Sequence, residues 1–282
     1  MECYLCRHQE FRERPGVVRD EPSLRILECT ACGLVTLSSL EHIRDGHYED
    51  SGMHREQPDA TMESWLHDTD QDDQRRFDML KALIVNRRVL DFGCGASGFV
   101  RKASALAAAV AGVEPERRVR DYWGETITIH PDLDQAQDEF DLITAFHVVE
   151  HLADPRAVLT RLAGRLADRG RLVVEVPNAD DVLLTLYESA AFQRFTYWSQ
   201  HLFLFNADTM RTLAAQAGLR VVSIQQFQRY SLANHLHWLS RGGPGGHARW
   251  SFLDTPELAR AYAASLGAIG KCDTIIAHLE RA

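Results

Sequence analysis

A chain of 282 residues, 45% hydrophobic and 25% charged, has room for one sizeable core with a small appendage, or for two modest domains. Its net charge of −9 argues against a general nucleic-acid binder, which would carry a basic face. No stretch approaches the ~18 uninterrupted apolar residues of a membrane helix, and the opening M-E-C-Y-L-C lacks the charged and apolar regions of a signal peptide. The expected setting is the cytoplasm, with neither nucleic acid nor membrane as partner.

In a reducing compartment, paired cysteines serve as metal ligands more often than as disulfides. Four of the six cysteines fall in two C-x-x-C pairs, Cys3/Cys6 and Cys29/Cys32, and Gly33 follows the second. Each pair can clasp one side of a tetrahedral Zn²⁺. Residues 1–40 are therefore expected to form a zinc ribbon, whose stability the metal supplies because so short a segment has little core of its own. Residues 41–63 are polar, with Gly46, Gly52 and Pro58, and look like a linker. Residues 64–84 then predict a helix capped by Ser64, with Phe77, Leu80 and Ile84 on one face. Linker and helical cap together span 41–84.

From Arg88 the pattern alternates between strands and helices. Strands are expected at Val89–Phe92, Ala111–Val113, Thr126–His130, Phe140–Phe146, Arg171–Pro177, Leu219–Phe227 and Cys272–Leu279. Helices are expected at Ser97–Val110, Pro115–Trp123, Pro155–Asp168 and Thr209–Ala217. Such a repeat gives an α/β doubly wound, Rossmann-like sheet, mainly parallel and here seven-stranded. Its core would span 85–230, with the last strand in 271–282. Ligands of such sheets gather at the carboxyl ends of the strands, near the point where strand order reverses.

The segment V-L-D-F-G-C-G-A-S-G-F (89–99) holds the strongest local signal. A strand ends at Asp91, and Gly93 and Gly95 permit a turn tight enough for backbone to meet a ligand. Gly93-x-Gly95-x-x-Gly98 also matches the dinucleotide fingerprint. The carboxylate of Asp91 decides against it, because it suits a ligand bearing an ammonium and a sulfonium and would repel a pyrophosphate. Glu114, about 20 residues beyond the turn, is placed to accept ribose hydroxyls.

These pieces, with G-V-E-P (112–115), F-D-L-I-T-A-F-H-V-V-E-H-L-A-D-P (140–155), L-V-V-E-V-P-N (172–178), H-L-F-L-F-N (201–206) and A-G-L (217–219), make the chain resemble the class I S-adenosylmethionine methyltransferases over roughly residues 80–230. The resemblance implies that Asp91, Gly93 and Gly95 line the methionine portion of that cofactor and that Glu114 holds its ribose; Cys94, inside the turn, and Pro115, beside Glu114, belong to the same cofactor-binding stretch, where Cys94 also reads as a packing residue. The resemblance also implies that Asp132 meets the adenine edge, and that Phe146 and His147 close over the whole.

Methyl transfer is an in-line displacement that requires an aligned nucleophile, exclusion of water and often removal of one proton. Glu150 and His151, at the carboxyl edge after the fourth strand, are candidate acid–base residues, and His has the fitting pKa. The competing reading is that they only cap the helix beginning at Pro155. His201, after Tyr197 and Trp198, is a second candidate and Tyr230 and His235 are further ones. Residues 231–270 form the most individual segment: a short helix carrying His235 and Trp238, then Gly242-Gly243-Pro244-Gly245-Gly246, flanked by Arg229, Arg241 and Arg249. They are expected to be an acceptor lid that recognises an anion such as a sugar nucleotide. The expected reaction is methylation of a hydroxyl, or a carbon, of a small molecule such as a sugar nucleotide or natural-product intermediate. The zinc ribbon also resembles that of sugar C-methyltransferases, which are longer, and of ribosomal-RNA guanine methyltransferases, whose substrate the acidic charge disfavours. A third reading is a non-catalytic zinc-ribbon interaction protein, against which the intact Asp91, Gly93, Gly95 and Glu114 speak.

Overall fold

The protein is described from a computed structural model covering residues 1–43, 46–49 and 61–282. Near the N-terminus the chain turns twice on its cysteine pairs and lays down three short antiparallel strands, β1 (Phe11–Glu13), β2 (Ile26–Cys29) and β3 (Val35–Leu37). Gly33 takes φ +77°, and its N–H donates to the Cys29 carbonyl to close the second knuckle. Of the segment 41–63 expected as a linker, residues 41–43, 46–49 and 61–63 are described. His42 Nε2 lies 2.7 Å from the Ser199 carbonyl, and the Tyr48 hydroxyl donates to the His151 carbonyl. Residues 44–45 and 50–60 lie outside the described residues.

Helix α1 (Met62–Ile84) begins one turn earlier in its capping than the sequence suggests. Its cap is Thr61, whose hydroxyl accepts the Ser64 N–H at 3.1 Å, so Ser64 sits inside the first turn. Leu80 and Ile84 are buried as expected, but so are Asp73 and Arg76. This helix therefore presents a charged stripe as well as an apolar one to the sheet.

The Rossmann-like part follows as β4 (Arg88–Phe92), α2 (Gly98–Ala103), β5 (Ala109–Val113), α3 (Arg117–Trp123), β6 (Ile129–His130), β7 (Phe140–Phe146), α4 (Pro155–Gly164) and β8 (Leu166–Pro177). Then come α5 (Val182–Thr185), α6 (Ala190–Thr196), β9 (Phe203–Leu204), α7 (Ala207–Gln216) and β10 (Leu219–Phe227). Last are α8 (Leu232–Arg241), α9 (Gly246–Arg249), α10 (Pro256–Ala268) and β11 (Thr274–Arg281). Seven strands form one sheet in the order β10-β11-β8-β7-β4-β5-β6, with β11 antiparallel to both neighbours. Strand order reverses between β4 and β7, which opens a crevice at their carboxyl ends.

Two expected helices are shorter because strand pairing overrides propensity. Ser97–Val110 was an Ala-rich helix by composition, but α2 stops at Ala103 because Ala109 must pair with Arg88. Pro155–Asp168 stops at Gly164 because Leu166 already pairs with Phe140. The third strand is confined to Ile129–His130.

The ribbon is not a pendant. Strand β9, from deep in the core sequence, pairs with β3 at Val35/Leu204 and Thr36/Phe203 and completes a four-stranded sheet. Leu5, Val18, Ile26 and Leu34 share one buried cluster with Ile143, Leu172 and Leu213 of the main core. The segment 231–270, expected as an acceptor lid, is likewise packed onto the rest of the chain. Asn234 is buried and its side-chain oxygen accepts the N–H groups of Gly245 (3.0 Å) and Gly246 (3.3 Å). A Cβ on Gly246 would lie 2.0 Å from the Ala233 carbonyl oxygen, so this glycine is there for close packing. The glycine run is a packed turn in which the amides of Gly242, Gly245 and Gly246 are already used, and α10 is a full helix where no element was expected. Among the described residues no helix is long and apolar enough to cross a membrane.

Candidate functional site

At the reversal point, the β4 turn works as the glycines suggest. Gly93 (φ +70°) and Cys94 both donate their N–H groups to the Val113 carbonyl, at 2.8 and 3.1 Å. A Cβ on Gly93 would come within 2.4 Å of Val148, so the turn tolerates no side chain there. The Gly95 N–H donates to Glu114 Oε2 at 2.9 Å, and the Glu116 N–H donates to Oε1 at 3.0 Å. Glu114 is thus aimed by two backbone amides, while burial pushes its carboxyl up to about 6. Asp91 is fully buried and accepts the Thr144 hydroxyl at 2.6 Å; burial pushes it up to about 7. Among the described residues neither carboxylate has an ion-pair partner within 4 Å, although Arg76 and Arg120 lie near enough to oppose part of the burial effect.

The two carboxylates line a cavity of about 460 Å³ with Gly93, Cys94, Gly95, Pro115, Phe146 and His147. All the expected cofactor residues except Asp132 meet there. Asp132 is exposed, its carboxylate accepting the N–H groups of Asp134 and Gln135 in its own turn, and it does not line the cavity. The reason is the short β6, which ends at His130 and leaves Asp132 to cap the following turn. The Cys94 thiol, pushed well up by burial, contacts the Ser97 hydroxyl at 3.2 Å. Sequence reasoning missed the wall contributed by α1: Trp65, Thr69, Asp72, Asp73 and Arg76. The only available signal was the density of acids and arginines on that helix.

A second cavity, of about 290 Å³, lies beside it and shares His147, His151 and Arg229 with the first. Glu150, His201 and Tyr230 line it together with Phe192, Phe195 and Trp198. His147 starts the turn with φ +54°, and a short 3₁₀ turn, Val149–His151, carries the pair to the sheet edge. Glu150 has no exposure; Oε1 lies 3.2 Å from His147 Nδ1, and Oε2 has no hydrogen-bond partner among the described residues. His151 Nδ1 bonds the Gln200 carbonyl at 2.7 Å, and His201 Nδ1 bonds the Thr196 carbonyl at 2.8 Å. The two rings are 5.1 Å apart. Burial lowers the pKa of both, His201 to about 4 with His151 adding to the effect. His147 differs: burial opposes its charge, but Glu150 and Glu175 outweigh burial and raise it. His235 does not join the site. It is buried in α8, with Nδ1 2.8 Å from the Tyr262 hydroxyl and Nε2 3.1 Å from Gln228, and burial lowers it to about 4. The lid arginines Arg241 and Arg249 line neither cavity.

Behind the shared wall lies an ion network. The fully buried Glu175 accepts from Arg75 (2.8 and 3.0 Å) and Arg76 (2.7 and 3.2 Å), and His147 Nε2 lies 3.3 Å away. Arg229 pairs with Asp72. These partners hold the Glu175 carboxyl well below its ordinary value despite burial. Replacing Glu175 by Gln is expected to cost about 3–5 kcal/mol, since it strands buried guanidiniums. Because the folded pKa is depressed, this stabilisation is full above the unfolded value and lost as pH falls through the folded one. Thermal melts should therefore show a wide gap between wild type and variant at pH 7 that narrows in acid; an equal gap at both pH values would contradict the assignment.

At the far end of the ribbon, the sulfur atoms of Cys3, Cys6, Cys29 and Cys32 all lie within 4.8 Å of one another, with Cys3–Cys32 and Cys6–Cys29 at 3.5 Å. A tetrahedron with ~2.3 Å arms has edges of about 3.8 Å, so four thiolates in this cluster fit one zinc ion.

Comparison with known proteins agrees with this geometry. The family described as "Methyltransferase domain" matches residues 65–224. The chain is 33% identical over 105 residues to a ubiquinone biosynthesis O-methyltransferase of Bradyrhizobium diazoefficiens, covering 32% of this chain and 40% of that protein. It is 29% identical over 109 residues to the protein of that name from Rhodopseudomonas palustris, covering 34% and 42%. The matches thus span well under half the length of these curated relatives. In fold, the chain is similar to a SAM dependent methyltransferase from Archaeoglobus fulgidus, with TM-score 0.54, 16% identity, and coverage of 81% of this chain and 98% of that one.

Proposed function

We propose a specific reaction on one premise: the chain belongs to the methyltransferase-domain family and is built as an S-adenosylmethionine-dependent methyltransferase. In this reading the larger cavity takes the cofactor and the smaller one takes a small-molecule acceptor, whose hydroxyl receives the methyl group. The observation that carries it is the meeting of the two cavities at His147, His151 and Arg229. An in-line transfer needs such a junction, with donor and acceptor entering from opposite sides.

When bound, S-adenosylmethionine supplies an activated methyl group. Asp91 and the Gly93–Gly95 turn would hold its methionine part, where a carboxylate with no ion-pair partner among the described residues meets a cradle that a Cβ would fill. Glu114 would accept the ribose hydroxyls, with Pro115 beside it, and Phe146 and His147 would close the cavity. His151 is the proton acceptor. Its Nδ1–H is committed to the Gln200 carbonyl, which leaves the lone pair on Nε2. His201 and Glu150 keep it in place, and Tyr230 borders the acceptor. Phe192, Phe195 and Trp198 suit the face of a ring. The name of the curated relatives favours oxygen over carbon as methyl acceptor. An anionic, nucleotide-linked acceptor has less support, because Arg229 is already paired with Asp72 and Arg241 and Arg249 do not line the cavity. The four cysteines would hold a structural Zn²⁺, consistent with a reducing cytoplasm.

Calorimetry on the zinc-loaded chain is expected to show one S-adenosylmethionine bound; no binding would sink the reading. With an acceptor in hand, His151→Ala should lower turnover about 10²–10⁴-fold while leaving cofactor affinity unchanged. Full turnover in both His151→Ala and His201→Ala would remove the proton-acceptor assignment.

A further inference from the structure

Glu150, His151 and His201 come together at the edge of the second cavity, and each has an acceptor atom that no hydrogen bond among the described residues uses. Glu150 contributes Oε2, fully buried and without a partner among the described residues. His151 and His201 have each committed Nδ1–H to a backbone carbonyl, so each keeps only a lone pair on Nε2. A ligating atom of each of the three lies within 4.8 Å of those of the other two. Converging lone pairs repel unless something positive lies between them.

We propose that Glu150, His151 and His201 form a divalent-cation site that binds the acceptor's oxygen. Two imidazoles and one carboxylate on a single side, with the remaining positions open, suit first-row cations such as Mn²⁺, Fe²⁺, Co²⁺ or Zn²⁺. The three residues line the same cavity as Trp198 and Tyr230, so an acceptor bound there would lie beside the cation. The surroundings are those that orient metal ligands: a carbonyl on each Nδ1–H, and His147 on the other oxygen of Glu150. Backbone also sets the spacing of the three, since the Leu202 N–H donates to the Glu150 carbonyl at 2.9 Å and the Thr36 hydroxyl of the ribbon donates to the Leu202 carbonyl at 3.1 Å. The inference rests on the reading of this cavity as the acceptor site. In the loaded protein it makes His151 a ligand, and the cation takes over the weakening of the acceptor's O–H bond. That bond breaks, its proton passes to water, and the electron pair stays on the oxygen that attacks the methyl carbon.

The test is titration of Mn²⁺ into the full chain with its cysteine cluster filled by zinc. Thiolates hold Mn²⁺ poorly, so the ribbon does not compete. Free Mn²⁺ is read by electron paramagnetic resonance, and zinc by elemental analysis. One saturable Mn²⁺ per chain is expected. His201→Ala, at a half-buried position, and Glu150→Gln, of equal size, should each weaken it at least ten-fold with the zinc content unchanged. Absence of saturable Mn²⁺ binding in the wild-type chain, or equal binding in both variants, would overturn the proposal. Cofactor titration of the same preparations separates the two ideas: S-adenosylmethionine binding without Mn²⁺ binding removes the cation site alone.

Discussion

S-adenosylmethionine should bind the Asp91→Asn variant about 10- to 150-fold more weakly than the wild-type chain, since a charge-assisted contact of about 1.5–3 kcal/mol is lost. The folded protein itself should not suffer. Asn keeps an oxygen to accept the Thr144 hydroxyl, and the buried carboxyl it replaces is costly to ionise. The sign follows from burial, which pushes Asp91 up to about 7, above its unfolded value. Between those two pKa values the folded state binds more protons than the unfolded one, so without cofactor its stability falls as pH rises through that window. Asp91→Asn should accordingly melt no lower than wild type at pH 7.5. The same ionisation governs binding in the opposite sense. From pH 7.5 to pH 6, wild-type affinity for the cofactor should drop roughly ten-fold as Asp91 takes up its proton, with Glu114, raised to about 6, adding to the fall. The Asn variant should show a much flatter profile. Equal affinities for the two proteins by calorimetry at pH 7.5 would show that Asp91 does not meet the cofactor's charge.

Turnover should also be lost, by at least about 100-fold, when the cysteine cluster is dismantled by Cys29→Ser or by chelation, although none of the four cysteines lines either cavity. In the zinc reading the metal supplies most of the ribbon's folding energy. The ribbon in turn supplies β3, the partner of β9, and β9 begins two residues after His201. Tyr4 donates to Asp154 and Arg14 to the Ala179 carbonyl, so the ribbon also braces the segments that follow β7 and β8. Releasing β9 frees His201 and the Leu202 bond to Glu150. Cofactor affinity should change far less, within about ten-fold, because Asp91, Glu114 and the glycine turn are held by β4 and β5. A metal-free chain with wild-type turnover would show that the ribbon does not position the acceptor site.

Strand identities in the main sheet were legible because most strands are apolar runs, or alternate apolar and polar residues as Leu219–Phe227 does. Phe140–Phe146 and Leu219–Phe227 match to the residue. Helix ends were less so, because the stop at Ala103 or Gly164 is imposed by strand pairs formed with other parts of the chain. His235 and His201 looked equally available in sequence. Only packing separates them, burying one against Tyr262 and turning the other toward Glu150.

What the sequence by itself determined is therefore local: the thiol pairs, the Asp91–Gly95 turn, Glu114 one strand later, and the Glu150-His151 pair. Each depends on spacing within a single turn or one βα unit, where covalent geometry sets the distances. The tertiary structure decided which groups share a cavity. It joined His151 to the Gln200 carbonyl, Arg75 to Glu175, and the ribbon strand at Val35 to Leu204. Such pairings cross 49 to 169 residues of chain, where no periodicity reaches. They are selected only by the joint burial of apolar faces and the need to satisfy buried polar groups.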